Sequence, residues 1–95
     1  MEEIFQIQLN KEKETPLYQQ LADAIMELIS DGYLPANSKL PPIRKMAQHF
    51  GVNSVTIVTA YKYLEQKQMV YSRVGSGTYV SPLPVENIPE PVANR

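Results

Sequence analysis

Hydrophobic and polar residues change rhythm several times along this chain, and each change predicts an element. Phe5, Ile7 and Leu9 alternate with Gln6, Gln8 and Asn10, the period of a short half-buried strand or arm. Residues 10–15 read as a charged linker. Thr15 and Pro16 predict an N-cap and a first helical residue. Leu17, Leu21, Ile25, Leu28 and Ile29 then recur at helical spacing up to Gly32, the expected stop. Pro41 and Pro42 can open a helix but not continue one, and Ile43, Met46, Ala47 and Phe50 behind them mark a short buried face. Gly51 permits the positive φ of a tight inter-helix turn, and Val52 is expected to plug that turn into the core. Asn53 should cap a third helix over 53–67, with Ile57, Ala60, Tyr61 and Leu64 on its core face. Val70, Ser72 and Val74 alternate with Tyr71 and Arg73; Gly75-Ser76-Gly77 punctuates a hairpin, and Thr78, Tyr79 and Val80 form the return strand.

These elements predict an α+β, mainly α fold: a winged helix-turn-helix of three helices plus a two-stranded β-wing. The organisation expected is an N-terminal strand or arm with its linker over 1–14, the winged helix-turn-helix over 15–81, and a tail over 82–95. Pro82, Pro84, Pro89 and Pro91 crowd the last fifteen residues, which carry little apolar periodicity and read as an extended or disordered linker.

Length and composition narrow the function. Ninety-five residues make one small domain, short for an enzyme with an enclosed pocket. There is no cysteine, so neither a disulfide framework nor a thiolate metal site is expected, and the lone His49 lacks partners for one. The acidic N-terminus does not read as a signal peptide, and no segment has the length of a membrane span; a soluble cytoplasmic domain is the expectation. The net charge of −1 hides a division. Residues 1–35 carry two lysines against seven carboxylates, whereas residues 36–80 carry Lys39, Arg44, Lys45, Lys62, Lys67 and Arg73 against Glu65 alone, a local excess of +5. Phosphate binding follows that local field rather than the overall charge.

A helix-turn-helix with a wing suits a DNA major groove and the neighbouring backbone or minor groove. The candidate DNA-binding residues are Arg44 and Lys45 at the start of the second helix; Asn53, Ser54, Val55, Thr56, Val58, Thr59 and Lys62 on the third; and Arg73, Gly75, Ser76 and Gly77 on the wing. Tyr61, Tyr63 and Tyr71 read as core or core-edge residues and His49 as a helix-end residue. The two glycines of the wing lack the Lys-Ser/Thr and helix of a phosphate loop. A second class of function, a winged-helix protein-interaction module with an incidental basic face, is disfavoured by the local charge. A third, a small enzyme, has no nucleophile–base pair, carboxylate pair or metal cluster behind it.

Several of these segments resemble one family. Leu40-Pro41-Pro42-Ile43-Arg44, Gly51-Val52-Asn53-Ser54-Val55-Thr56-Ile57 and Gly75-Ser76-Gly77-Thr78-Tyr79-Val80 resemble the helix opening, the turn with recognition helix, and the wing of GntR-type winged-helix regulators. Pro16-Leu17-Tyr18-Gln19-Gln20-Leu21 resembles the first helix of the MocR-like and YtrA-like branches, and Ala60-Tyr61-Lys62-Tyr63-Leu64 is closer to the MocR-like one. The resemblance spans about residues 15–81. It implies sequence-specific binding of a double-stranded operator by a bacterial-type transcription regulator that acts as a homodimer. It places Arg44 where the family grips DNA backbone, Ser54, Val55, Thr56 and Val58 where base edges and flanking phosphates are met, and Gly75 at the wing tip. Ser54 and Val58 depart from the arginine and the basic residue usual at those positions. Recognition is then expected to lean on Thr56, on apolar contact of Val55 or Val58 with thymine methyls, and on DNA shape. Gln68 stands where the family usually has glycine. In a MocR-like protein this unit precedes a large aminotransferase-like domain that binds pyridoxal phosphate; the Pro-rich tail favours that branch, and no cofactor is expected within the 95 residues themselves.

Overall fold

The computed structural model describes residues 2–82 and contains α1 (Glu2–Phe5), α2 (Leu17–Ser30), α3 (Ile43–Phe50), α4 (Ser54–Gln66), β1 (Val70–Arg73) and β2 (Gly77–Val80). The expected tail lies, from Leu83 onward, outside the described residues. Helices α2, α3 and α4 enclose the core, and the antiparallel hairpin β1–β2 packs beside α4. Leu21, Ile25, Met46, Ile57, Ala60 and Leu64 are fully buried, and Val70 and Val80 carry the core onto the inner face of the wing.

The first nine residues differ from the expected strand. Residues 2–5 form one helical turn, and Ile4 is fully buried in the common core. Phe5, Ile7 and Leu9 are half-buried and Gln6, Gln8 and Asn10 exposed, so the alternation correctly marked the packed side chains. A strand also needs a ladder partner, and here the backbone closes on itself, Gln6 N–H to the Glu3 carbonyl and Ile7 N–H to the Ile4 carbonyl. At Asn10 the Gln20 carboxamide stands in for a neighbouring strand. It accepts from the Asn10 N–H at 2.9 Å and donates to the Asn10 carbonyl at 3.0 Å.

Helix α2 begins one residue later than Thr15 and Pro16 suggested. Pro16 is itself the N-cap, and its carbonyl receives the Gln19 and Gln20 amides. The helix closes as expected around Gly32, with Tyr33 N–H on the Leu28 carbonyl.

The wing is wider than a hairpin. Residues 37–40 lie along β2 as a third, irregular strand. Asn37 N–H donates to the Val80 carbonyl, Val80 N–H to Ser38, and Leu40 N–H to Thr78, around a Lys39–Tyr79 bridge. The chain thus passes from the wing's edge directly into Pro41-Pro42 and α3, which fixes the wing against the helix-turn-helix.

Candidate nucleic-acid interface

Local chemistry sets the helix-turn-helix. Gly51 adopts φ 65°, a left-handed conformation that glycine takes without steric cost, and its amide closes α3 on the Ala47 carbonyl. Val52 N–H bonds to the same carbonyl, and its half-buried side chain packs on the core. Asn53 is the expected cap: its Oδ1 accepts from the Val55 amide at 2.8 Å. Its carboxamide oxygen is therefore engaged in holding α4.

With the phase of α4 fixed by buried Ile57, Ala60, Tyr61 and Leu64, the residues opposite follow at about 100° per residue. Val55, Thr59 and Lys62 run down the outward stripe. Ser54 and Val58 lie on one flank and Thr56 on the other. Val55 is 66% exposed. Thr59 turns its hydroxyl back onto the Val55 carbonyl at 2.8 Å.

Tyr61 ties α4 to the start of α3. Its ring is buried, its hydroxyl donates to the Pro41 carbonyl at 2.7 Å, and burial pushes the phenol well above its usual range. Arg44, one residue into α3, is exposed and borders a hollow formed with Ile43, Ala47, Gln48, Gly51, Val52 and Ser54. A second cleft runs from Ile43 and Pro42 to Lys39, Ser76, Gly77 and Thr78. Ile43 borders both, so the hollow with Arg44 and Ser54 adjoins the cleft of the wing at that residue.

The wing turn is a three-residue loop, residues 74–76, closed by Ser76 N–H on the Arg73 carbonyl. Gly77 lies at the start of β2 rather than in the turn. Its φ is 142°, and a methyl there would sit 2.9 Å from Lys39 Cε. The lysine stem crosses the wing there, and it is the backbone φ that favours glycine at this position. On that outer face Tyr71 stacks on Tyr79 at 5.6 Å, and the Arg73 guanidinium lies over the Tyr79 ring at 5.7 Å. The Tyr79 hydroxyl is bonded to Ser76 Oγ, and Tyr71 donates to Asn37 Oδ1. Tyr71 is thus part of the outer wing and not of the core edge. Tyr63, by contrast, covers that edge, accepting from Gln19 Nε2 and meeting Tyr18 edge-to-face.

Lys45 is separated from the other candidates. Its ammonium stands 5.7 Å over the Phe5 ring, on the flank of α3 where α1 packs and where His49 Nε2 donates to the Phe5 carbonyl at 2.8 Å. Lys39 and Gln48, absent from the sequence-derived candidates, border the clefts. Lys39 was visible only as a charge, because its place depends on the unforeseen third strand.

Two helices at a tight turn, an outward helix face and a basic wing make this a winged helix-turn-helix, the DNA-binding unit of transcription regulators. Residues 17–80 match the family described as bacterial regulatory proteins, gntR family, and the chain belongs to it. It is 36% identical over 80 residues to the probable rhizopine catabolism regulatory protein MocR of Rhizobium meliloti, covering 84% of this chain and 16% of MocR. Among solved structures it is similar to YtrA from Sulfolobus acidocaldarius, a GntR-family transcription factor, with TM-score 0.77, 37% identity and 85% of each chain covered. It is also similar to the AraR DNA-binding domain in complex with operator ORE1, with TM-score 0.68 and 32% identity, over 78% of this chain and 90% of that one. The chain thus spans about a sixth of MocR's length.

Proposed function

We propose that this chain reads a half-site of a double-stranded operator, with α4 in the major groove and the wing on the flanking backbone or minor groove. The observation that carries this reading is the pair of hollows that adjoin at Ile43, one bordered by Arg44 and Ser54 and the other by Ser76 and Gly77. Arg44 takes the phosphate beside the groove, and Ser54, Val55, Thr56 and Val58 meet base edges. Lys62 steers from the end of the outward stripe, and Arg73 reaches phosphate from the wing, held against Tyr79. Asn53, Thr59, Gly75 and Gly77 act by shaping the backbone that presents these groups, and Lys45 contributes charge at longer range.

The role is one of binding without catalysis. Pyridoxal phosphate does not fit this chain: every lysine among the described residues is exposed, and a Schiff-base lysine works in an enclosed pocket. No helix among the described residues is long and apolar enough to cross a membrane, and the site of action proposed is the cell interior, where an operator lies. Two copies are proposed to bind half-sites about one helical turn apart. Selection of duplexes from a random library by a tethered dimer of the chain tests the reading. Enrichment of a two-half-site motif supports it, and a flat library contradicts it.

A further inference from the structure

The outward stripe of α4 offers few free hydrogen-bond donors over its first two turns. Val55 is 66% exposed at the helix start, far more than folding requires of a valine. One turn on, the only hydroxyl of that stripe, on Thr59, is committed to the Val55 carbonyl. Half-buried Val58 flanks the same stripe. The first charged residue of α4 is Lys62, two turns in. The first two turns of this stripe offer no free donor to the N7 and O6 acceptors of guanine, which would lose their water without a replacement bond. Thymine is the one base whose major-groove edge carries a methyl group.

From this we infer that the chain selects its half-site by thymine 5-methyl groups packed on Val55 and Val58, so that the centre of each half-site is read as T·A by apolar contact. The inference rests on the operator-reading role proposed above and names what that role recognises. Ser54 and Thr56, short hydroxyl residues on the two flanks, take the neighbouring base edges or phosphates.

The test removes methyl groups one at a time. A duplex enriched from the random library is resynthesised with deoxyuridine replacing each thymidine singly, which leaves base pairing and every hydrogen-bonding group in place. Affinity is expected to fall about fourfold per contacted methyl, at one or two thymines in each half-site. Val55→Ala or Val58→Ala should abolish that sensitivity at its own position while preserving the salt slope of binding. Uniform indifference to deoxyuridine would overturn the inference and leave operator binding intact. Sensitivity that persists unchanged in both alanine variants would also overturn it, because the methyl groups would then act through DNA shape. If no duplex is enriched, the operator-reading role itself falls and this inference with it.

Discussion

Replacing Tyr61 by Phe isolates one hydrogen bond at the joint between the recognition helix and the opening of α3. The ring stays and continues to fill its place, with 6% of the residue exposed in the parent. What is lost is the 2.7 Å bond to the Pro41 carbonyl, which no backbone amide among the described residues answers. A typical bond contributes about 0.5–1.5 kcal/mol net, and a buried acceptor left unpaired costs about 1–3 kcal/mol. Tyr61→Phe should therefore destabilise the domain by about 1.5 kcal/mol, lowering Tm by roughly 6–12 °C at this size. Circular dichroism during heating and in urea measures both quantities. The same phenol adds a pH dependence. Its folded pKa is raised by burial, so the neutral form is favoured in the fold. That contribution is fully present below the unfolded tyrosine value of about 10 and is lost as pH rises beyond it. The stability gap between parent and variant should narrow above about pH 10. A variant within about 0.3 kcal/mol of the parent, or one with the same alkaline decline, would refute the argument that this bond is buried and unreplaced.

Other substitutions address other joints. Gln68→Gly should stabilise the domain by about 0.5–1 kcal/mol, read as a higher urea midpoint at constant slope, because Gln68 is held at φ 63° where glycine fits without strain. Ile57→Asp should unfold the chain, while Val55→Asp should leave Tm nearly unchanged and abolish duplex binding, since Ile57 is fully buried and Val55 exposed. Gly77→Ala should cost about 1–3 kcal/mol by forcing a side chain at φ 142°. Arg73→Ala should lower the log–log salt slope of duplex binding by about 1 while sparing base preference.

How much of this was legible in the sequence depended on whether the signal was local. Gly51 and Asn53 each act within a few residues of themselves, so the turn and the cap follow from residues at the backbone they control. The left-handed exit at Gln68 came from the structure, since a glutamine side chain does not set that φ. The apolar period of α4 gave its buried face because that face is a full stripe. The N-terminal alternation gave the packed side chains but not the element, since no local signal says whether a strand partner exists. Residues 37–40 were unreadable as a strand because their pairing with β2 joins segments about forty residues apart. The candidate interface was sorted in the same way. Arg44 and Ser54 meet along the hollow, whereas Lys45, adjacent to Arg44 in sequence, points to the flank already taken by Phe5. The inward turn of the Thr59 hydroxyl is a choice between solvent and the carbonyl four residues back, which sequence spacing does not make.

Arg44 gripping DNA phosphate beside the groove is the centre of the proposed function. Its most direct test is the dissociation constant for a selected duplex as a function of NaCl concentration, for the parent chain and for Arg44→Ala. The parent should bind with log affinity falling linearly in log salt, at about 0.9 per phosphate neutralised. Arg44→Ala should bind more weakly, with a slope shallower by about 1. Salt-independent binding by the parent, or an Arg44→Ala variant matching it in affinity and slope, would contradict the account.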